Sequence, residues 1–141
     1  MRISFACLLL LSATVSSQNE SYRKFINQHI NGEMSVNRCD QVIEERQITE
    51  TDSNLCKDTN TFILANNNDV RAVCRLAGVP YEGGLTKSHQ PFPVIVCTLK
   101  NQGARRPHCQ YKGRSSTRYI VIRCAGGFPV HYGGDIVHLA N

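Results

Sequence analysis

Six cysteines spread through residues 18–141 constrain the fold of this chain more than any other feature. An even number of cysteines in a small exported domain is typical of disulfide bonds, here three. A structural zinc site is the alternative, but no two of the six lie close enough in sequence for a C-x-x-C zinc motif. Composition alone leaves the pairing open. The six are Cys39, Cys56, Cys74, Cys97, Cys109 and Cys124.

Residues 1–17 have the features of a secretory signal peptide, which predicts a secreted, extracellular protein. Arg2 supplies the positive start, and an apolar run and small residues follow it. The apolar run is shorter than the roughly 20 residues that span a bilayer, so we expect no stable membrane insertion. Cleavage would remove Cys7 and leave residues 18–141 as one domain. The sequon at Asn19 would then be a candidate glycosylation site.

The charge of the secreted chain favours an anionic partner. Without the signal peptide the chain has 15 Lys and Arg and 11 Asp and Glu, a net charge of +4. From Lys100 to the C-terminus there are seven basic residues and a single acid, Asp135. This distribution fits binding of a polyanion such as RNA, or of an anionic surface such as a bacterial membrane. A basic surface that serves only solubility is equally compatible with the net charge.

Hydrophobic periodicity predicts helices in the first half of the chain and strands in the second. Helical spacing covers residues 20–30 and 37–48, with Glu44, Glu45 and Arg46 facing outward on the second helix, and residues 66–69 provide a candidate N-cap region for a short helix through residue 74. β-branched runs predict strands at 59–65, 94–99 and 119–122. Residues 78–93 are interpreted as a long loop, and 101–103, 112–113 and 126–127 as turns. This order indicates an α+β fold with an antiparallel sheet.

Two histidines and one lysine stand in contexts that could carry chemistry. His29 lies one turn after Phe25 on the apolar face of the first helix, where one ring edge would be buried. Strand alternation places the side chain of His131 on the face opposite its two neighbours. Lys57 and Thr61 would share one face of a strand, so an ammonium and a hydroxyl would line one groove. On these grounds alone the structural interpretation is favoured: a lone histidine is more often structural or exposed than catalytic, and Lys57 and Thr61 fit a surface lysine and a cross-strand threonine.

The segment Cys56-Lys57-Asp58-Thr59-Asn60-Thr61-Phe62 resembles the C-K-x-x-N-T-F signature of the vertebrate pancreatic-type ribonuclease family. Two further segments are similar to that family, namely Gln28-His29 on the first helix and Phe128-Pro129-Val130-His131-Tyr132 near the C-terminus. The resemblance covers residues 20–141. With six cysteines, the chain is most similar to the angiogenin-like branch, which has three disulfides.

The resemblance implies a ribonuclease-type α+β fold in which three helices pack on a bent antiparallel sheet. It also implies the pairs Cys39–Cys97, Cys56–Cys109 and Cys74–Cys124. We expect a monomer that uses no cofactor and no metal.

The resemblance also implies how the chain would act on RNA. His29 would be the general base, His131 the general acid, and Lys57 the group that stabilises the transition state. Gln28 would orient the phosphate, and Thr61 would read the base edge and favour pyrimidines. Further substrate contacts are assigned to Asn60 and Tyr132. The product would be a 2′,3′-cyclic phosphate.

Three departures from the family pattern bear on this prediction. Gly133 stands where family members often have an aspartate that orients the second histidine, and Asp135 is the candidate substitute. Ala125 replaces an acid that contacts the second base in relatives. The sequence at 44–46 lacks the arginine run of angiogenin. Arg105-Arg106 is a basic pair elsewhere, which a solvated turn explains; contact with phosphate or a role in nuclear import is the alternative.

Three functional classes remain open. The leading hypothesis is a secreted endoribonuclease that cleaves single-stranded RNA 3′ of pyrimidines. The second is an angiogenin-like signalling or cationic antimicrobial protein, with a cell-surface receptor or bacterial membrane as its partner and weak catalysis. A non-catalytic binding module would leave the three matching site segments unexplained.

Overall fold

A computed structural model describes residues 19–51 and 53–138, so the expected signal peptide at 1–17 lies outside the described residues. Helix α1 covers residues 19–29, and the exposed Asn19 is its first described residue. Two shorter helices follow, α2 (Cys39–Glu45) and α3 (Asn67–Ala72). Within the described ranges, no helix is both long and apolar enough to cross a membrane.

Six strands form one antiparallel sheet in the order β1-β4-β5-β3-β2, with β6 paired to β5. The longest strand, β5, pairs with β4 along its first half and with β3 and β6 along its second half. This architecture confirms the predicted α+β fold. The strands are β1 (Thr59–Ile63), β2 (Gly78–Tyr81), β3 (Leu85–Ser88), β4 (Phe92–Leu99), β5 (Tyr111–Ala125) and β6 (Phe128–Val137).

Two predicted irregular segments are wrong. The loop expected at 78–93 contains the hairpin of β2 and β3, closed by a single 3-10 turn (Glu82–Gly84). The Gly and Pro residues of this segment are typical of loops, and the residues of β2 are largely exposed, so the sequence shows no strand pattern there. The turn expected at 112–113 lies inside β5. Gly113 is needed there because a Cβ would lie 2.2 Å from the carbonyl oxygen of Val36.

Helix α2 is shorter than the predicted 37–48, because the backbone of Gln47 takes a positive φ of 55°. The N-cap of α3 lies within the predicted region 66–69: the side chain of Asn66 accepts a hydrogen bond of 2.8 Å from the backbone N–H of Asp69.

The helices pack on the sheet through two hydrophobic clusters. In the first, Val42 and Ile43 of α2 pack with Phe62 of β1 and with residues of β4. In the second, Phe25 of α1 and Val70 of α3 pack against β1, β4 and β5. Strand β1 contributes to both clusters because its neighbours Phe62 and Ile63 point to opposite faces.

Three disulfides have the pairing that the resemblance implied. Cys39 is bonded to Cys97, Cys56 to Cys109, and Cys74 to Cys124. They span 58, 53 and 50 residues of sequence, respectively. In the chain-entropy model, loops of this size each stabilise the folded chain by roughly 4 kcal/mol.

Candidate active site

A cleft of about 1020 Å³ opens between α1, the segment before β1, and β6. It brings together six residues that the sequence singled out although they are far apart in the chain. Most groups on its wall are polar, and its lining includes one carboxylate, Glu50. The six are Gln28, His29, Lys57, Thr61, His131 and Tyr132.

His29 is held at the end of α1 with only 7% of its surface exposed. Its Nδ1 lies 2.9 Å from the carbonyl oxygen of Thr61, which can only accept a hydrogen bond. The ring stacks on Tyr132 at a centroid distance of 4.9 Å and also contacts Phe25. Nδ1 therefore carries the proton, and Nε2 is left as the basic atom.

The pKa of His29 is lowered to about 4. Burial is the largest cause, because it penalises the charged imidazolium. The hydrogen bond to Thr61 opposes this effect, while the positive charges of Lys57 and His131 lower the pKa further. His29 is consequently a neutral proton acceptor near pH 7.

The end of α1 is fixed by Arg46, which the sequence had placed on the outward face of the second helix. Instead, its guanidinium donates hydrogen bonds to the carbonyls of Asn27 and Ile30, at 2.9 and 2.8 Å. The side chain of Asn27 returns a hydrogen bond of 3.0 Å to the carbonyl of Arg46. These bonds satisfy carbonyls that a helix end leaves unpaired, and so anchor the turn that carries His29.

A hydrogen bond to Asn60 holds the side chain of Lys57 in position. The Lys57 Nζ donates a hydrogen bond of 2.9 Å to Asn60 Oδ1, and Asn60 Nδ2 donates one of 2.8 Å to the carbonyl of Gln28. Asn60 is only 1% exposed and is not part of the lining of the cleft, so in this structure it acts on the cleft through Lys57. The phenol of Tyr111 also donates to the Lys57 carbonyl, at 2.6 Å. Burial lowers the pKa of Lys57 below its usual value.

His131 lies on β6, where it is exposed to the cleft. Its neighbours Val130 and Tyr132 also line the cleft. The register of β5 and β6 shifts between Arg123, which is opposite His131, and Cys124.

Asp135 does not take the role expected of it beside His131. Its two carboxylate oxygens accept hydrogen bonds from Arg118, at 2.7 Å, and from the phenol of Tyr132, at 2.8 Å. Burial and the negative charge of Asp135 raise the pKa of Tyr132, so the phenol keeps its proton. Asp135 thus reaches the cleft through Tyr132 and the ring of His29 that stacks on it.

An aspartate at the position of Gly133 would be crowded by its neighbours. A Cβ at this position would lie 3.0 and 3.1 Å from the methyl carbons of Leu85, and 3.2 Å from the carbonyl of Val121. Leu85 belongs to the β2–β3 hairpin, within the segment that the sequence predicts to be a loop. A glycine at position 133 therefore avoids a close contact with Leu85 of the hairpin.

The cleft suits a phosphate group placed between a neutral base and a second imidazole. Lys24 and Lys57 supply positive charge along the wall. In the part of the chain that the structure describes, no group of three or more His, Cys, Asp or Glu side chains is placed to hold a metal ion. Proton transfer and charge stabilisation are the chemistry that these side chains offer.

The chain is similar to known proteins over most of its length. The family described as pancreatic ribonuclease matches residues 20–133. The chain is 40% identical to ribonuclease-like 3 of Danio rerio over 139 residues, covering 92% of this chain and 93% of the relative. It is 42% identical to angiogenin-2 of Bos taurus over 118 residues, covering 81% and 92%. The X-ray structure of zebrafish RNase5 is similar at 49% identity and a TM-score of 0.80, covering 83% of this chain and 95% of that one.

Proposed function

The chain belongs to the pancreatic ribonuclease family, and we propose that it is a secreted endoribonuclease that cleaves single-stranded RNA on the 3′ side of pyrimidines. The observation that carries this proposal is the convergence of His29, Lys57 and His131 on one cleft. RNA carries the 2′-hydroxyl that can attack the neighbouring phosphate, and DNA lacks it.

In the first step, Nε2 of His29 takes the proton of the 2′-hydroxyl as its oxygen attacks phosphorus. The bond from phosphorus to the 5′-oxygen breaks, and His131 gives its proton to that leaving oxygen. The products are a 2′,3′-cyclic phosphate and a free 5′-hydroxyl. Water can later open the cyclic phosphate, with the two histidines exchanging roles.

Lys57 stabilises the additional negative charge that the phosphate oxygens gain in the transition state. Its hydrogen bond to the buried Asn60 supports this role, because it fixes the ammonium before substrate arrives. Gln28 lines the same wall and would orient the phosphate.

Pyrimidine preference would come from Thr61, whose side chain lines the cleft while its carbonyl holds His29. Thr61 of β1 would then both recognise the nucleobase and, through its carbonyl, orient the general base His29. Tyr132 lines the opposite side and would contact the substrate through its ring.

Initial rates on a pyrimidine–purine dinucleotide and on transfer RNA test the assignment. His29→Ala and His131→Ala should each lower kcat/KM by about 100-fold or more, since each removes a proton-transfer group. His108→Ala is the matched control, because His108 is exposed and does not line the cleft. Unchanged cleavage by His131→Ala would refute the assignment.

Export is a further part of the proposal. The mature protein would begin after residues 1–17, be extracellular and monomeric, and carry glycan at the exposed Asn19. Mass spectrometry of protein secreted by eukaryotic cells, with and without Asn19→Gln, tests both the cleavage site and the glycan.

Relatives named angiogenin favour a second candidate function, in which the protein acts on cells through a receptor or an anionic bacterial membrane. The net positive charge supports it. Assays of endothelial growth and of bacterial killing with His131→Ala separate it from catalysis. An effect that survives the substitution would belong to the surface rather than to RNA cleavage.

A further inference from the structure

One carboxylate lies in the cleft without a part in the proposed mechanism. Glu50 lines the cleft, and Lys24 and Lys57 are the other Asp, Glu, Lys or Arg residues of the described chain that do so. The two ion pairs within residues 19–51 and 53–138 are formed by other side chains. Within these residues no ion pair neutralises Glu50, so its negative charge acts on an anion that enters the cleft.

Hydrogen bonds fix the loop that carries Glu50. The backbone N–H of Glu50 donates to the carbonyl of Leu55 at 3.0 Å, and the carbonyl of Glu50 accepts from the N–H of Ser53 at 3.2 Å. Cys56, which follows Leu55, donates to the carbonyl of Ala104 at 2.9 Å. The loop is thus tied to itself and to a neighbouring segment, which gives the carboxylate a defined position on the wall.

The carboxylate of Glu50 lies beside the backbone of Lys57. Its Oε1 accepts a hydrogen bond of 3.4 Å from the N–H of Asp58, the residue that follows Lys57. Burial is the main cause of the lowered pKa of Lys57, and the negative charge of Glu50 is the largest influence that opposes it. The field of Glu50 therefore reaches the ammonium that is to stabilise the transition state.

The charges of Glu50 and Lys57 act in opposite directions on a bound phosphate. A phosphodiester is anionic, and its oxygens gain further negative charge in the transition state. Repulsion from Glu50 therefore grows as the reaction proceeds, just as the attraction to Lys57 does. The hydrogen bond from Lys57 to the neutral amide of Asn60 leaves the charge of the ammonium intact, so Glu50 is the group that offsets it.

We propose that Glu50 restrains RNA cleavage, because its carboxylate offsets the positive charge of Lys57 at the phosphate site. This inference rests on the proposed function, since it takes the position of the phosphate from the roles of Lys57, His29 and His131. It predicts that the enzyme works more slowly than its catalytic groups permit. Removal of the charge, rather than of the side chain, should release the restraint.

Three variants separate the charge of Glu50 from its other contacts. Glu50→Gln removes the charge but keeps the size of the side chain and an oxygen that can accept from Asp58. Glu50→Lys changes the charge by twice as much. Glu82→Gln is the matched control, because Glu82 is exposed in the turn between β2 and β3 and does not line the cleft.

The measurements are kcat/KM on a pyrimidine–purine dinucleotide at low and high salt, and binding of inorganic phosphate by calorimetry. We expect Glu50→Gln to raise kcat/KM by about 2- to 5-fold at low salt, and Glu50→Lys by roughly the square of that factor, because Coulomb energy is linear in charge. The gain should shrink at high salt through screening. Inorganic phosphate should bind more tightly to both Glu50 variants than to the wild type or to Glu82→Gln.

A kcat/KM equal to that of Glu82→Gln, or a gain that does not depend on salt, would overturn the proposal. A fall in kcat/KM would also overturn it, because Glu50 would then support Lys57 instead of offsetting its charge. Failure of the wild type to cleave the dinucleotide would count against the proposed function. Phosphate binding to the wild type and to Glu50→Gln would still test the effect of Glu50 in that case.

Discussion

The phenol of Tyr132 donates a hydrogen bond of 2.8 Å to Asp135, while the ring of the same residue stacks on His29. Asp135 is itself paired with Arg118 at 2.7 Å. A chain of three contacts thus runs from an ion pair on β5 and β6 to the proposed base. Asp135, the candidate partner of His131 from the sequence, therefore supports His29 through Tyr132.

Tyr132→Phe keeps the stacked ring but removes its hydroxyl, and so leaves an oxygen of Asp135 without its donor. We expect the free energy of unfolding to fall by about 1–2 kcal/mol, because a partly buried acceptor loses its partner. The rate should fall several-fold, because the ring over His29 is less firmly held. Chemical denaturation and dinucleotide cleavage measure the two effects.

Tyr119→Phe is the matched control, since Tyr119 packs on Lys87 and His138 rather than on the cleft. If both variants behave like the wild type, the contact between Tyr132 and Asp135 has no part in positioning His29.

The depressed pKa of His29 has a consequence for the pH profile. With a pKa of about 4 instead of 6.5, the base stays unprotonated well into the acid range. We therefore expect the acidic limb of kcat/KM in the free enzyme to fall near pH 4. An acidic limb near pH 6.5 would contradict this prediction.

The same shift links stability to pH. Between pH 6.5 and about 4 the unfolded chain binds a proton at His29 that the folded chain does not. Stability should thus decrease as pH falls through this window, with a contribution of up to about 1.4 kcal/mol per pH unit. His29→Gln should remove this contribution, which denaturation at several pH values can measure.

Asn60→Ala should disturb catalysis without touching the substrate. The substitution frees the ammonium of Lys57 and leaves the carbonyl of Gln28 unpaired. We expect kcat/KM to fall by up to about 100-fold, as misplacement of a catalytic group can cause, and stability to fall by about 1–3 kcal/mol.

The exposed Asn37 provides the control for this substitution. Both variants are assayed for kcat/KM at a temperature below their unfolding transitions, so that each is folded during the assay. A kcat/KM equal to that of Asn37→Ala would show that Lys57 does not depend on Asn60.

Gly133→Asp is expected to destabilise the protein rather than to restore the aspartate of the family pattern. The new Cβ would crowd the methyl groups of Leu85, and overpacking of this kind costs about 1–3 kcal/mol. Leu85→Ala removes the obstacle, so the double variant should be more stable than the sum of the single effects predicts. Additive effects in denaturation would show that the two positions do not compete for space.

The sequence identified the α+β class and most of the candidate site, because the relevant signals are local. The C-K-x-x-N-T-F segment and the contexts of His29 and His131 each lie within a few residues. The disulfide pairing followed from the resemblance and is confirmed. Spacing alone could not have chosen it.

What the sequence could not predict depends on contacts between distant segments. Arg46 and Asn27 are 19 residues apart, and Asn60 and Gln28 are 32 apart, so periodicity carries no sign of either contact. The β2–β3 hairpin was hidden for another reason. Its glycines and proline weaken the strand pattern, and pairing of Thr86 and Lys87 with β5 provides the order that local propensity lacks.

Strand β5 is long enough to take part in both hydrophobic clusters. Its first half packs through Tyr111 into the cluster around α2, and its second half packs through Ile120 and Ile122 into the cluster around α1 and α3. Neither cluster can open fully without breaking the ladder of this strand. We therefore expect amide hydrogens of β1 and β6 to exchange together, in one cooperative opening, so that the two walls of the cleft are lost and regained as a unit.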